Sequence, residues 1–380
     1  MRDGRGHSGD SESERAHHSS ACLELSPWRS RNHQLDGLRG YAAVAVCIFH
    51  TILSMDETLV PRILYGSFLD FADEYSWFAK IVLKLTSGET AVFMFFVLSG
   101  AVLFQSLATS LTPLGMRLVS FAIRRTFRIF PALIVSLVLM SASLLALGRP
   151  IRLHDFIVNS VLFAFPISGV TWTLNVEMVA TGFIAIAYLG WHLYREWGLI
   201  AVALVASLIL RSSAFDHIAV TFKDNWIFFA LGMLIPTRFG RVIAQAIPVG
   251  AWPYVLLVGI AFKGFIQPIA IAALVAMIYY DRSGMLGRFL ERPFSRFLGR
   301  ISFSFYLYNP LLLAVLSIYS VGWSFSKTNP IELGLLVSVP IIAATIPLAY
   351  LSTRFIEEPC NGWAHRMFKP PVRTPQTVYL

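Results

Sequence analysis

The sequence predicts an all-α, polytopic membrane protein, with about ten transmembrane helices packed in one bundle. Hydrophobic residues make up 56% of the 380-residue chain and charged residues only 14%, whereas soluble domains carry roughly 25% charged residues. Mean hydropathy is +0.63. The apolar residues gather into ten stretches, most of them near the ~20 residues that a bilayer crossing requires.

Residues 1–34 are expected to form a disordered cytoplasmic tail, because RDGRGHSGDSESERAHHSS mixes charge, Ser, Gly and His with almost nothing to bury. His17 and His18 lie there, with no metal role expected. No secretory signal is expected, since the first apolar stretch begins only near Tyr41 and no small-residue cleavage pattern follows it. Spans are placed at 37–55, 90–108, 128–148, 174–192, 197–210, 225–236, 247–262, 264–280, 302–320 and 330–351. The fifth and sixth are short for a crossing and are expected to be tilted, broken or half buried in the bundle. FIVNSVLFAFPISGV at 156–170, preceded by His154 and Asp155, is expected to be re-entrant or interfacial. Residues 35–362 would then be the membrane domain and 363–380 a second cytoplasmic tail, with no room for an appended soluble domain.

With the N-terminus cytoplasmic, 22 of the 31 Lys and Arg residues fall on inside segments and nine outside. This is the positive-inside distribution, and an even number of spans keeps the basic C-terminal tail inside. The net charge of +9 is therefore assigned to topology, and no nucleic-acid partner is expected. Cys22, Cys47 and Cys360 are too few and scattered for a metal site or a disulfide framework. No repeat period appears, and no matching pair of Gly/Pro-broken spans of the kind found in many secondary transporters.

Ionisable side chains within apolar spans are costly, so each is a functional candidate. His50 sits well inside the first span and Arg39 at its cytoplasmic end. Their 11-residue interval is about 1,100° of helix rotation, ~20° past three turns, which puts both on one face roughly 16 Å apart. Each also has a plainer reading: His50 as a packing residue bonded to a neighbouring helix, Arg39 as a topological anchor. In RRTFRIFP, Arg125 and Arg128 are three apart and Arg124 and Arg128 four apart, forming a cationic face at the start of the third span. A guanidinium pair suits a polyphosphate, although anchoring at the inner surface would also account for it. Pro131 stands in the first turn of that apolar run, where proline is tolerated. TWTLNVEM puts Glu177 about one turn into the fourth span, on its outer side, where a carboxylate should be paired or poised, and Trp172 fits the aromatic belt. Ser99 and Gly100 fall mid-span and predict close helix packing.

With these residues assembled, the chain resembles the integral-membrane acyltransferase-3 family over about residues 34–362. Its members transfer acyl groups from acyl-coenzyme A to hydroxyls of sugars, polysaccharides or small natural products. Six motifs carry the resemblance in order: LDGLRGYAAVAVCIFH, FFVLSGAVLF, RRTFRIFP, WTLNVEM, LGRISFSFYLYNPLL at 298–312 and RFIEEP at 354–359. The resemblance implies a ten-helix core, an essential Arg and His separated by ten residues (Arg39 and His50), and an Arg-x-x-Arg pair that handles the coenzyme (Arg125 and Arg128). Two departures stand out. Asn309 occupies a position where the family often has His, so an acid/base role there is in doubt, and Ala101 replaces the common bulky residue after Ser-Gly, which would widen the space near His50.

The expected function is membrane O-acyl transfer, with acetyl-coenzyme A as co-substrate and no permanently bound cofactor or metal. Phosphates would dock on Arg125 and Arg128, the pantetheine arm would thread past Arg39, and the thioester would reach His50. An imidazole, ordinarily titrating near 6.5, is available as a general base at neutral pH, and a covalent acyl-His relay is equally open. Glu177 would either orient the imidazole or balance a buried Arg. The acceptor is expected to be a hydroxyl-bearing small molecule, such as a secondary metabolite of the kind modified by stand-alone fungal members, or a sugar, met by the membrane core itself. The alternative is a multi-pass transporter using the same basic residues to bind an organic anion, which lacks repeat symmetry and leaves the six motifs unexplained. A catalytically silent membrane scaffold is a third reading.

Overall fold

The computed structural model describes residues 32–66, 71, 73–212, 216–319 and 329–368. The predicted tails fall largely beyond these bounds: residues 1–31, with His17, His18 and Cys22, and residues 369–380 lie outside the described residues. Within them every regular element is helical. In order these are α1 (His33–Met55), α2 (Glu74–Leu85), α3 (Gly88–Ala108), α4 (Leu114–Ala146), α5 (Leu153–Ser160), α6 (Trp172–Ile209) and α7 (Asp216–Leu234). There follow α8 (Arg238–Ala246), α9 (Trp252–Ala261), α10 (Ile266–Tyr279), α11 (Met285–Leu290), α12 (Pro293–Tyr319), α13 (Pro330–Ser352) and α14 (Glu358–Met367). π-Helical turns occur at Val60–Leu64 and Thr353–Glu357.

By length and composition six of these helical stretches can cross a bilayer, and a seventh qualifies if Thr221–Leu234 and Arg238–Ala246, bent by 87°, count as one. The sequence predicts ten, and three causes account for the difference. The predicted fourth and fifth spans belong to one long element, α6, broken at Tyr194 and Arg195, the latter at φ 54°. The chain reverses there, because the backbones of Gly190 and Gly198 touch and Val202 packs on Gly190, whereas residues eight apart in a straight helix are ~12 Å apart. The predicted sixth span is the one bent at the end of α7. The seventh and eighth correspond to α9 and α10, of 10 and 14 residues, short of the ~20 residues of a full crossing.

α1 begins one residue after Asn32, whose side-chain oxygen accepts from the backbone amides of Gln34 (3.0 Å) and Leu35 (3.3 Å). Two of the amides that a helix start leaves unpartnered are thereby satisfied. The Gln34 side chain donates to Asp281 (2.7 Å) and Glu291 (3.1 Å), tying this end of α1 to the chain around α11. α12 lies along α1 in parallel: after Gly37 meets the Leu290 carbonyl at the end of α11, Gly40 meets Leu298 and Gly299, Gly299 meets the backbone of Asp36, and farther along Ala43 and Cys47 pack with Ile301 and Phe305. Gly40 and Gly299 face one another, so ten residues beyond each, His50 and Asn309 stand at one level of the bundle.

A side chain at Gly299 would enter the Asp36 backbone, while Gly182 on α6 has open space around it. Gly299→Leu should therefore lower the thermal midpoint in detergent by the equivalent of about 1–3 kcal/mol or more, with Gly182→Ala neutral or slightly stabilising. Equal midpoints would contradict the contact.

α3 and α7 approach as closely, Gly100 against the Phe229 backbone and Gly232 against the Val97 carbonyl, in line with the small-residue packing expected at Ser99–Gly100.

Candidate active site

Arginine–carboxylate contacts assemble the site from α1, α3, α4 and α6. Arg39, one turn from buried Asp36, lies 3.8 Å from its carboxylate. The next turns of the bundle bring Arg128, Glu177 and Arg125 within its electrostatic reach. Arg125 is buried and ion-paired with Glu177 at 2.5 Å, and Ser99 donates to the other carboxylate oxygen at 3.3 Å. Ser99 and Arg125 are each the twelfth residue of their helices, α3 and α4, so the pair lies level with the middle of α3. The sequence places Arg125 at the start of a span at the inner surface. The helix that carries it, α4, begins earlier, at Leu114, and runs through the basic cluster, and Glu177 neutralises the charge that would otherwise make a buried arginine prohibitive.

Glu177, expected on the opposite side of the membrane from Arg125, stands level with it. α4 extends 21 residues past Arg125, roughly 31 Å at 1.5 Å per residue, yet Glu177 is only the sixth residue of α6. The intervening chain must therefore double back along α4, and it does: Leu162 and Leu174 pack on Ile129, Leu133 and Leu137. Asn159 holds this returning segment together, its oxygen accepting from the amides of Ile167 and Ser168 (3.1 Å each) and its nitrogen donating to Thr171 Oγ1 at 2.9 Å. Of the two roles open to Glu177, the structure gives it the arginine rather than His50.

Arg125 and Arg128 fare differently. Three residues apart on a helix leaves them about 60° apart around its axis, enough to bury the first and expose the second. Arg125 is committed to Glu177, whereas Arg128 makes no hydrogen bond or ion pair among the described residues. Arg124 is partly tied, donating to Ser120 Oγ at 3.2 Å. Arg128 is thus the arginine of the predicted pair that is open to an anionic ligand, with Arg39 nearby.

His50 is half-buried, and among the described residues no hydrogen-bond partner meets its ring. Its neighbour Phe49 packs on Gly88, the first residue of α3. Ser99 lies 11 residues, about 16 Å, along α3 from that level. The imidazole and the layer of charges therefore sit at different depths, as the Arg39–His50 spacing predicts.

Asn309, level with His50, is fully buried. Pro310 has no N–H to offer the Tyr306 carbonyl, and the Asn309 amide nitrogen donates to it at 3.2 Å and to the Phe305 carbonyl at 3.3 Å. Its own oxygen is buried without a partner among the described residues. Tyr306 donates to the Val170 carbonyl at 2.9 Å and lies 3.0 Å from Thr173 Oγ1, clamping the start of α6 to α12. Ala101 does not open space beside His50. It is fully buried two residues beyond Ser99 and faces Gly232 of α7.

One carboxylate escaped the sequence reading. The π-turn at Thr353–Glu357 carries Glu357 inward, 6% exposed, where it accepts from Ser304 Oγ and from Thr353 Oγ1 (3.1 Å). Glu358 faces outward, ion-paired with Arg300 at 2.5 Å and Arg354 at 3.4 Å. The paired acids of RFIEEP were the available signal.

The arrangement sets an exposed arginine and a charge-balanced layer near one end of α1 and a half-buried imidazole farther along the same helix. A family model for an acyltransferase domain, of the acyltransferase-3 type, matches residues 32–354. No curated protein and no solved structure matches the chain.

Proposed function

The chain belongs to the acyltransferase-3 family, and on that premise we propose that it transfers an acetyl group from acetyl-coenzyme A to a hydroxyl of a small molecule, a secondary metabolite or a sugar. The observation that carries this reading is an imidazole without a hydrogen-bond partner among the described residues, 11 residues along one helix from an arginine that shares the field of Arg128.

The coenzyme's phosphates bind Arg128, with Arg39 beside them, and its slim arm runs along α1 toward His50. His50 takes the proton from the acceptor hydroxyl as that oxygen attacks the thioester carbon. The C–S bond breaks, and the departing thiolate takes the proton back from the imidazolium, leaving an O-acetyl ester and free coenzyme A. General-base assistance of this kind contributes typically ~10²–10⁴-fold. Arg125 and Glu177 keep the helices that flank the path in register. Asn309, level with His50, offers its unpaired oxygen to the acceptor's hydroxyl. We read both termini as cytoplasmic, from the distribution of basic residues, and ten crossings, counting the two halves of α6 separately and α9 and α10 as short crossings.

Purified protein incubated with labelled acetyl-coenzyme A and a panel of alcohols should release coenzyme A in equal amount to a base-labile O-acetyl product. Uptake of an organic anion into vesicles without chemistry would favour the transporter reading instead.

A further inference from the structure

α8 has a surface that the proposed chemistry leaves unused. At 100° per residue, its nine residues RFGRVIAQA divide into three faces centred roughly 120° apart. Gly240 and Ala244 are buried against the bundle, Gly240 on the carbonyls of Leu234 and Ile235. Arg238, Arg241 and Gln245 form the second face. The third is apolar and open: Phe239, Val242 and Ile243 are 41%, 64% and 54% exposed, with exposed Ala246 among them. A helix docked on a protein in water meets two environments, protein and water. An open apolar face beside a basic one calls for hydrocarbon as a third, the combination that marks a helix lying in the membrane interface.

The backbone gives α8 that position. α7 runs antiparallel to α3, Gly100 against Phe229 and Gly232 against Val97, and α3 belongs to a stretch able to cross a bilayer. The 87° bend after α7 therefore lays α8 nearly in the membrane plane. Two side chains hold the bend. The Tyr280 hydroxyl donates to the Ile235 carbonyl at 2.8 Å, with the Thr237 carbonyl at 3.4 Å, and Arg282 donates to the Ile247 carbonyl at 3.1 Å. Since the adjacent Tyr279 carbonyl accepts from Asn32 at 3.3 Å, α8 sits at the end of the bundle where α1 begins. The apolar face continues onto the turn of α6, where Trp197 meets Phe239 edge-on at 6.4 Å and Leu193, Tyr194 and Trp197 are each 71% exposed. Trp and Tyr collect at the level of lipid headgroups. α8 carries two arginines and no acid, which suits an anionic headgroup. Five N–H donors let a guanidinium keep a contact within the chain and still grip a phosphate.

We propose that α8 is an in-plane helix that binds anionic phospholipids, its arginines on the headgroups and Phe239, Val242 and Ile243 among the acyl chains. Lipid binding here does not depend on acyl transfer.

A bimane on Val242→Cys reports the lipid at this face, in full-length protein carrying Cys22→Ser and Cys360→Ser with the buried Cys47 retained. The protein is placed in nanodiscs of mixed phosphatidylglycerol and phosphatidylcholine, with brominated chains on one lipid or the other. Brominated phosphatidylglycerol should quench the probe more than an equal fraction of brominated phosphatidylcholine, by a preference of about fivefold for each arginine. Arg238→Gln with Arg241→Gln should bring the two lipids to equal quenching, and Arg238→Lys with Arg241→Lys should keep most of the preference. A bimane on Gln245→Cys, on the basic face, should be quenched much less by either lipid. No quenching at Val242 would overturn the in-plane placement. Equal quenching by the two lipids with both arginines present, or a preference untouched by the glutamine changes, would overturn headgroup recognition.

Discussion

Replacing His50 with alanine should lower acyl transfer roughly 10²–10⁴-fold, the usual contribution of a positioned general base, while coenzyme A binding stays within about twofold of wild type. The separation of the two effects follows from geometry, since the ring stands some 16 Å along α1 from Arg39. His50 is half-buried with no hydrogen-bond partner among the described residues, so the fold should survive its removal. The same variant distinguishes the two chemistries open to an imidazole. If His50 acts as a base, wild-type protein given labelled acetyl-coenzyme A and no acceptor retains no label. If it carries the acyl group, label accumulates to at most one equivalent and is lost from His50→Ala. Substantial turnover by purified His50→Ala would remove the residue from the mechanism altogether.

The second large effect is on stability. Glu177→Ala should destabilise the protein by about 3–5 kcal/mol, because Arg125 would be left charged and unpaired within the bundle. Glu177→Gln should cost less, since it can still accept from Ser99 and Arg125. Replacing both members of the pair with methionine should recover most of the loss, as apolar residues of similar volume avoid the desolvation of either charge. Thermal unfolding in detergent measures all three. A Glu177→Ala variant as stable as wild type would mean that water reaches Arg125 and that the pair is not buried in effect.

What the sequence revealed and what it concealed divide along a physical line. The face shared by Arg39 and His50 was readable because it depends only on helix pitch within one segment. Gly100 was readable too, since a small residue amid bulky apolar ones has few uses in a span. The start of α4 was misplaced because a charged cluster in an apolar run looks like a boundary unless its partner is known. That partner, Glu177, lies 52 residues away and across a segment that doubles back. Glu357 was concealed for a related reason: a π-turn alters the phase of the helix, so counting residues from α13 does not tell which of two adjacent acids faces inward.

The glycine contacts between α1 and α12 bear on which donors the protein can use. Held at Gly37 by the end of α11 and at Gly40 by α12, α1 has a fixed level in the bundle, and the gap between Arg39 and His50 becomes a ruler marked in helical rise. A donor whose acyl group adjoins its phosphate, as in an acyl phosphate, can touch one end of that ruler but not both. A donor with a long uncharged arm between the two can span it. Selection for coenzyme thioesters would then be a matter of length, enforced by two backbones in contact rather than by any side chain that reads the coenzyme.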